Sequence, residues 1–422
     1  MKSDVSLNQV HFLRRQVDQI KSGGQSVLVT KFLRALQLAF AIPIVLIIRV
    51  LRPLVLMRFG QLNSLPIGIF AAGTEMYLCE RDAGLQPNRA IDIMHCRDRV
   101  SNQQLKKMWG RQLHVSPLAT LLFDTNNHLP GGARHMVQLP NDEDSHGLIP
   151  RSKTHLRFTD EETRRGKEGL RGLGLPEGAP FICLYSRDTS YKRSDTGNSW
   201  STRLNQDENI HGYRNSSIAN FLPAAEELTQ RGYYVLRMGA VVTEPLQTTN
   251  PMIIDYSTKA RSDFMDIFLC ARCWFFLGGN GGLNAVPKIF RRPVIADNFV
   301  PLHRSHILSQ FPGGVVIPKK LWLQEEHRFM TFPEFMATWP ERFNGTKHFE
   351  HIGVDVIENT PEELLDVVVE MDERLKGKWQ TTEEDEELQQ RFWSLLEVTE
   401  PNHEFRPRMG AKFLRQNREL LG

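Results

Sequence analysis

The sequence predicts an α/β protein built from two domains with parallel sheets, preceded by an N-terminal helical extension. Its 422 residues exceed the size of one ordinary domain, so two domains plus extensions are expected. From Phe181 onward, short apolar runs alternate with short amphipathic segments, which is typical of parallel strands joined by helices. A strongly apolar stretch near the N-terminus stands outside this alternation and indicates a separate element.

The composition is that of a globular protein, with 41% apolar and 24% charged residues. The net charge of +3 is too small to indicate a nucleic-acid partner, and none is expected. The five cysteines lie mostly in apolar runs, which predicts reduced thiols and a cytoplasmic location. Cys270 and Cys273 form a C-x-x-C pair, but no second such pair accompanies it. We therefore expect core thiols and no metal site.

Residues 1–53 form the predicted helical extension. A helical pattern from Val5 to Ile20 precedes an uninterrupted apolar run from Leu38 to Ile48, which is only 11 residues long. A membrane-spanning helix needs about 20 residues, so this run is too short to cross a bilayer. Two interpretations stay open: an interfacial helix on anionic lipid at the inner membrane, or a helix packed on the protein. Basic residues around the run suit the first interpretation: Lys31, Arg34, Arg49, Arg52 and Arg58.

Residues 54–174 form the first predicted α/β domain. Its elements are a strand at Leu54–Phe59, a helix at Ala71–Leu78, a strand at Ala90–Cys96, a helix at Gln103–Trp109, an apolar segment of either type at Leu118–Phe123 and a charged helix at Glu161–Leu173. The segment GLPEGAP follows that last helix. Its glycines and prolines predict the domain boundary there.

Residues 175–345 form the second predicted domain, and residues 346–422 form C-terminal helices expected to pack across both domains. The predicted strands are Phe181–Tyr185, Tyr233–Met238, Met252–Tyr256, Cys273–Leu277 and Pro293–Ala296. The predicted helices are Pro223–Gln230, Ser262–Leu269, Leu283–Phe290, Glu362–Leu375, Thr382–Leu396 and a last one in MGAKFLRQNRELL. Ser262 is predicted to cap its helix, with Asp263 in the first turn.

A glycine-rich loop follows one of these strands and predicts a phosphate site. In parallel sheets, ligands lie beyond the carboxyl ends of the strands. The loop GGNGGLN enters a predicted helix, whose free N–H groups would suit a phosphate. It matches neither G-x-G-x-x-G nor a P-loop, and the alternative is a plain strand-to-helix turn. The predicted ligand-binding residues of the loop are Gly279, Asn280, Gly281, Gly282, Leu283 and Asn284.

Polar side chains at the ends of other strands extend this predicted site. Arginine guanidinium groups can bind a diphosphate bidentately, although each arginine here could equally form a surface salt bridge. The further residues predicted to bind the ligand are Arg187, Arg237, Gly239, Asp255, Arg261 and Asn298. Asp188 and His211 are the candidates for a general base, because a carboxylate or imidazole can accept a hydroxyl proton at neutral pH. A loop histidine with no chemical role is the alternative for His211.

The second domain resembles a family of largely uncharacterised bacterial glycosyltransferases from surface-polysaccharide gene clusters. The matching segments are CLYSRDTSY, HGYRNSSIANFLPAAEELTQRGYYVLRMG, IIDYSTKARSDFMDIFLCARCWFFLGGNGGLNAVPKIFRRPVI and NFVPL. The resemblance implies the GT-B fold, in which two Rossmann-like domains face a cleft. The C-terminal domain would bind a nucleotide sugar, and residues 54–174 would bind a glycan or lipid-linked acceptor. It also implies that Arg237 and the glycine-rich loop hold the diphosphate.

The first domain departs from the family pattern at one place. Relatives tend to have R-I-G-H where this chain has Pro66, Ile67, Gly68 and Ile69, so a histidine base at that position is missing. No D-x-D motif occurs in the predicted nucleotide-sugar-binding domain, residues 175–345, which favours a metal-independent transferase with the nucleotide sugar as substrate and no cofactor. The alternatives are an epimerase or hydrolase acting on sugar nucleotides, or a non-catalytic binding protein of a polysaccharide assembly complex.

Overall fold

The protein is described from a computed structural model. The described residues are 29, 32–33, 36–96, 99–140, 144, 146–188, 190, 211–279, 281–300, 302, 313–338, 345–396 and 405–422. They group into two compact units that interleave along the chain. Unit 1 runs to Leu62 and adds Pro87–Arg97 and Leu113–Gln138, and unit 2 holds the rest. The boundary at residue 174 and the arrangement of two domains about a cleft stay predictions, and the predicted helix at Val5–Ile20 lies outside the described residues.

The strands of the described residues are β1 (Leu56–Leu62), β2 (Ala90–Cys96), β3 (His114–Val115), β4 (Met136–Val137), β5 (Phe181–Leu184), β6 (Tyr234–Arg237), β7 (Ile253–Ile254), β8 (Phe276–Leu277), β9 (Val294–Phe299), β10 (Val315–Pro318), β11 (Lys320–Leu323), β12 (Arg328–Phe329), β13 (Val354–Ile357) and β14 (Arg408–Met409). The helices are α1 (36–50), α2 (Ile67–Asp82), α3 (Gln103–Trp109), α4 (Leu118–His128), α5 (Leu148–Arg151), α6 (Asp160–Gly172), α7 (Leu222–Gln230), α8 (Tyr256–Lys259), α9 (Asp263–Arg272), α10 (Ala285–Ile289), α11 (Phe332–Thr338), α12 (Thr346–His351), α13 (Pro361–Leu375), α14 (Glu383–Ser394) and α15 (Ala411–Gln416).

Unit 1 contains a parallel sheet of order β3-β2-β1-β4. β1 and β2 pair along their whole length, which sets Arg58 opposite Asp92. These two side chains form an ion pair with Nε and Oδ1 2.6 Å apart, and both are nearly buried. Arg58 is therefore bound within the sheet and unavailable to lipid headgroups.

Helix α1 of unit 1 has one buried side and one exposed apolar side. Ala41, Val45 and Ile48 recur at helical spacing and are buried, whereas Phe40 and Ile47 are 72% and 59% exposed. The helix therefore packs on the protein and still presents an apolar surface. No helix among the described residues has the length and apolar character needed to cross a bilayer.

Arg49 has a structural role that the sequence did not predict. Its guanidinium donates to the carbonyl groups of Asn126, Leu129 and Pro130, at the C-terminal end of α4. A cation is favourable there because the last carbonyls of a helix have no intrahelical donors. Of the five basic residues predicted near lipid, Arg52 is exposed, and Lys31 and Arg34 lie outside the described residues.

Unit 2 contains a parallel sheet of order β14-β10-β9-β8-β5-β6-β7. The predicted α/β class with parallel strands is thereby confirmed. Its central strands are buried along their length, as the apolar runs of the sequence predict. The chain order in this sheet reverses at β5, which has β6 on one side and β8 on the other, and ligands usually bind at such a switch point.

Several features of unit 2 differ from the predictions. A small antiparallel sheet, β12-β11-β13, was not predicted. The predicted helix at Leu283–Phe290 is a 3₁₀ turn at Gly282–Asn284 followed by the short helix α10. A helix of this length offers little dipole to an anion, so the phosphate prediction loses part of its basis. The cap by Ser262 is confirmed, since its hydroxyl accepts from the N–H of Met265.

The C-terminal helices pack within unit 2. Tyr233 donates to Asp372 of α13 over 2.6 Å, and Arg231 and Lys376 each lie 3.0 Å from the same carboxylate. Asp372 is fully buried, so these three partners are needed to offset its lost hydration. This network fixes α13 against the segment that joins α7 to β6.

Candidate functional site

A cavity of about 890 Å³ lies at the carboxyl ends of the strands in unit 2. Its walls include residues 185–188 after β5, residues 239–242 after β6 and the glycine-rich loop after β8. Its volume is in the range that small-molecule sites require. All of the lining residues belong to unit 2. The segments that follow β5, β6 and β8 thus line one cavity, and its use as a binding site stays a prediction.

The glycine-rich loop is packed too tightly for side chains. A Cβ at Gly281 would lie 2.1 Å from the ring of Tyr185, and one at Gly279 would lie 2.3 Å from the carbonyl oxygen of Asp297. The side chain of Asn284 donates to the carbonyl oxygen of Gly279 over 2.6 Å and closes the loop on itself. The glycines are therefore required by packing as well as by any ligand. Gly282 and Leu283 also line the cavity, and Asn280 lies outside the described residues.

Basic side chains outnumber acidic ones among the described lining residues. The basic residues are Arg99, Arg187, Arg214, Arg261 and Lys288, and the acidic ones are Asp188, Asp263 and Asp266. Two of the three carboxylates are bound to one arginine, since Arg261 lies 3.0 Å from Asp263 and 2.8 Å from Asp266. The remaining surface is therefore cationic and suited to an anionic ligand.

Asp266 is held in a buried network behind Arg261. Its carboxylate accepts a hydrogen bond of 2.8 Å from the hydroxyl of Tyr256. Burial raises the pKa of Asp266 to about 6, against the effects of Arg261 and Tyr256, which lower it. This network holds the guanidinium group of Arg261 at the cavity wall, where Asp263 and Asp266 neutralise much of its positive charge.

Arg187 lies at the cavity wall and organises the loop that carries His211. Its guanidinium donates to the carbonyl oxygen of His211 over 2.9 Å and to the side chain of Asn215 over 2.6 Å. Burial lowers the pKa of Arg187. Arg214 lies above the ring of Tyr213, 5.7 Å from its centroid. The Nε of Arg214 is buried and has no hydrogen-bond partner among the described residues.

The two candidate bases, Asp188 and His211, both line the cavity. The carboxylate of Asp188 accepts from the backbone N–H groups of Ser190 and Thr243, at 2.8 and 2.9 Å. These bonds fix the carboxylate and tie the segment after β5 to the segment after β6. The imidazole of His211 packs edge-on against Tyr213, with the ring centroids 6.1 Å apart. The structure brings both groups to the same cavity.

Arg237 and Asp255 are placed away from the lining of the cavity. Arg237 is 3% exposed and donates to the carbonyl oxygen of Glu244 over 2.6 Å, and its Nη1 lies 3.3 Å from Asp255. Asp255 also accepts from the N–H of Leu246 and the hydroxyl of Ser257. Arg237 therefore supports the segment after β6, and of the predicted residues there, Gly239 reaches the cavity.

Asn298 is buried in β9 and takes part in a hydrogen-bonded pair with Asn359. Each backbone N–H of the pair binds the other residue's side-chain oxygen, at 2.6 and 2.8 Å. Asn298 has a positive φ of 48°, which an asparagine tolerates better than most residues. It is not among the residues lining the cavity. Its role is to join β9 to the start of α13.

The neighbouring Asp297 gives a pH-dependent prediction for stability. Burial raises its pKa to about 7, although the side chain of Asn298 and the charge of Lys319 lower it. In the unfolded chain the pKa is about 3.9. The folded protein therefore binds more protons between these values, and its free energy of unfolding falls as pH rises from about 4 to 7. We expect the free energy of unfolding of Asp297→Asn, relative to that of the native chain, to be higher at pH 7.5 than at pH 4.5. Urea unfolding of both chains at the two pH values would measure this. An equal difference at both pH values would contradict this.

Several cavity residues were not predicted as site residues. Lys288 is buried within α10, and Tyr185 follows β5 as an apolar-looking continuation of the strand. The first turn of α2 also lines the cavity through Ile67, Gly68 and Ile69, and no side chain caps this helix. This turn is where relatives tend to have R-I-G-H. In this chain the residues of the turn are apolar, so the sequence did not indicate that they line a cavity.

Comparisons with known proteins give distant structural likenesses. No family model and no curated protein matches the chain. E. coli ADP-heptose lps heptosyltransferase II aligns over 62% of this chain and 90% of its own, at 12% identity and a TM-score of 0.35. The glycosyl transferase family 9 protein from Veillonella parvula covers 62% and 85%, at 11% identity and a TM-score of 0.37. The iron-containing dodecameric glycosyltransferase TibC from enterotoxigenic E. coli covers 58% and 59%, at 13% identity and a TM-score of 0.30. Likenesses this weak assign no activity.

Proposed function

We propose that the protein is a glycosyltransferase that moves a sugar from a nucleotide-sugar donor to a glycan or lipid-linked acceptor. The observation that carries the proposal is the cationic cavity at the carboxyl ends of parallel strands, bordered by a glycine-rich loop. Such strand ends are the usual place for nucleotides in parallel α/β sheets. The sequence resemblance to glycosyltransferases and the proposed GT-B arrangement agree with this function.

The basic side chains would stabilise the leaving group of the reaction. The acceptor oxygen bonds to the anomeric carbon, the bond from that carbon to the diphosphate breaks, and the acceptor proton goes to a base. Negative charge develops on the nucleoside diphosphate as it leaves. Arg187, Arg214 and Lys288 would bind this charge, so we propose that transfer needs no divalent metal. The uncapped N-terminus of α2, which spans 16 residues, would add its positive dipole.

The aromatic ring of Tyr185 would bind the uncharged part of the donor. It lines the cavity and packs against the backbone of Gly281, so its position is fixed by the glycine-rich loop. Aromatic faces suit both a nucleobase and the apolar face of a sugar. The ring would thus place the donor beside the basic side chains.

A screen of nucleotide sugars tests the proposal. We expect one nucleotide sugar to raise the melting temperature of the full chain, since a ligand that binds the folded state stabilises it by mass action. Incubation of that donor with glycan and lipid-linked acceptors should then yield a glycoside. Free sugar or an isomerised donor would instead support a hydrolase or epimerase. The absence of any stabilising nucleotide sugar would contradict the proposal.

A non-catalytic binding protein is the second candidate, and the first turn of α2 favours it. Relatives tend to have a histidine where Ile69 lines this cavity, so a base at that position is absent. If the protein is a transferase, Asp188 or His211 must act as the base in place of that histidine. Tight donor binding without any product, across a broad acceptor panel, would favour the binding protein.

We further propose that α1 attaches the protein to the cytoplasmic face of the inner membrane. Its exposed apolar side, which includes Phe40 and Ile47, supports this, and the free thiols agree with a cytoplasmic location. Shallow insertion of such a side into the headgroup region buries apolar area without a spanning segment. This attachment would bring the enzyme to a lipid-linked acceptor.

Vesicle flotation tests the attachment. We expect the full chain to float with phosphatidylglycerol vesicles and the double variant Phe40→Asp/Ile47→Asp to stay at the bottom. Both changed residues are exposed on one side of α1, so the fold should tolerate them. The control Leu85→Asp replaces an exposed apolar side chain outside α1 and should float normally. Failure of the unchanged chain to float, with anionic or zwitterionic vesicles, would refute the attachment.

A further inference from the structure

A cluster of metal-ligating side chains lies in unit 2, apart from the residues that line the cavity. It consists of Glu75 and Cys79 of α2 and His155, which follows α5 in the chain. Glu75 and Cys79 are four residues apart, so they lie on one face of the helix. One ligand atom from each of the three residues lies within 4.8 Å of the others. This spacing fits a single ion among them.

The cluster is buried, and its carboxylate is incompletely bound. Glu75 and Cys79 are fully buried. The Oε1 atom of Glu75 lies 2.7 Å from Nη2 of Arg291 and 3.1 Å from Nδ1 of His155. Its Oε2 atom has no hydrogen-bond partner among the described residues. A buried carboxylate oxygen without a donor is costly, and a cation would relieve that cost.

The orientation of His155 suits metal ligation. Its Nε2 lies 3.0 Å from Oδ2 of Asp82, and its Nδ1 points to Glu75. Histidines that bind metals usually donate their second ring N–H to a carboxylate, which fixes the ring and the tautomer. Asp82 occupies that outer position, so Nδ1 is the nitrogen left to face the carboxylate and the thiol.

We propose that Glu75, Cys79 and His155 bind one Zn²⁺ ion through a carboxylate oxygen, Sγ and Nδ1. A thiolate, an imidazole nitrogen and a carboxylate form a donor set typical of zinc, and the second oxygen of Glu75 or a water molecule would complete four ligands. Binding would release one proton from the thiol and one from the imidazole. The two charges of Zn²⁺ and the one charge of Arg291 then balance the three negative charges of the Cys79 thiolate, Glu75 and the more exposed Asp82.

The competing interpretation is an ion-pair network without metal. There His155 carries a proton between Glu75 and Asp82, and Arg291 supplies the second positive charge. Burial opposes this proton, but hydrogen bonds to Cys79, Glu75 and Asp82 raise the pKa of His155 to about 10. The network joins the middle of α2 to the segment after α5 through His155 and to the segment after α10 through Arg291, and zinc would strengthen only the first of these connections. The two interpretations differ in metal stoichiometry and in the role of Cys79, which is a thiolate ligand in one and a hydrogen-bond partner of His155 and Arg291 in the other.

Cobalt titration of the full chain tests the zinc site, because Co²⁺ occupies zinc sites and has visible spectra. After chelator treatment and dialysis, we expect one Co²⁺ per chain with a thiolate-to-cobalt charge-transfer band, which one equivalent of Zn²⁺ abolishes. Cys79→Ser should lose the band, whereas Cys96→Ser should keep it. Absence of stoichiometric binding, or a band that persists in Cys79→Ser, would overturn the proposal. A persisting band would assign the metal to the other thiols.

Asp82→Asn tests the outer carboxylate without removing a ligand. The loss of a carboxylate partner of a metal-bound histidine typically weakens metal binding by about 10- to 100-fold. We expect this loss of Co²⁺ affinity in Asp82→Asn, with the charge-transfer band retained at saturation. The matched control is Asp124→Asn in α4, which should bind Co²⁺ like the native chain. An unchanged affinity in Asp82→Asn would contradict the assigned geometry.

Discussion

The variant Asp188→Asn is expected to lose about 10²- to 10⁴-fold in kcat while it keeps its affinity for the nucleotide-sugar donor. A general base acts on the acceptor proton, so its removal affects the chemical step more than donor binding. The carboxylate lines the cavity and is held by the N–H groups of Ser190 and Thr243. Steady-state kinetics with a saturating donor, together with calorimetry of donor binding, would measure the two effects separately.

The variant His211→Gln is the paired experiment, because both residues line the same cavity. If His211 is the base, this variant shows the large loss in kcat, and Asp188→Asn shows a small one. A glutamine keeps much of the size and polarity of histidine, so Arg187 should still bind the backbone of residue 211. Near-native kcat in both variants would refute both assignments. Circular dichroism and donor binding would show that each variant is folded.

The variant Arg214→Met is expected to bind nucleoside diphosphates about 10- to 100-fold more weakly, since a hydrogen bond to a charged group is worth about 1.5–3 kcal/mol. Arg214 faces the cavity, and its Nε has no hydrogen-bond partner among the described residues. Methionine is unbranched and of similar length, so it fills much of the same space while it removes the charge. The loss of affinity should therefore reflect the missing charge more than a change in packing.

Calorimetry with ADP, UDP, GDP and CDP would measure this loss for whichever diphosphate binds best. The control Arg164→Met removes an exposed arginine of α6 that pairs with Glu161 and Glu168 outside the cavity. It should bind the diphosphate normally, because surface pairs contribute little to stability. Equal affinity of Arg214→Met and the native chain would remove Arg214 from the proposed diphosphate site. Arg237→Ala is a poorer test, because Arg237 is buried against Asp255 and its loss would disturb the fold.

The general position of the site could be predicted from sequence because the relevant signals are local. Apolar runs of strand length predicted β5, β6, β8 and β9, and the residues directly after parallel strands must share one edge of the sheet. Arg187, Asp188, Gly239 and the glycine-rich loop reach the cavity in this way. The cap at Ser262 was also predictable, since a capping hydroxyl acts within its own helical turn.

The direction of individual side chains could not be predicted in the same way. Successive residues of a strand face opposite sides, so an error of one residue at a strand end reverses the side chain. Arg237 is the last residue of β6 and turns to Asp255 and Glu244, whereas Arg214 and Lys288 come from other segments and reach the cavity. Their roles depend on the packing of distant parts of the chain.

The sequence by itself determined the α/β class, the parallel strands of unit 2, the glycine-rich loop and an apolar helix too short to span a membrane. Each follows from residue type and spacing within a short stretch. The tertiary structure alone decided which arginines face the cavity, which side of α1 is buried, and that His155 meets Glu75 and Cys79. These are contacts between residues far apart in the chain, and they depend on how separate elements pack, which local spacing does not specify.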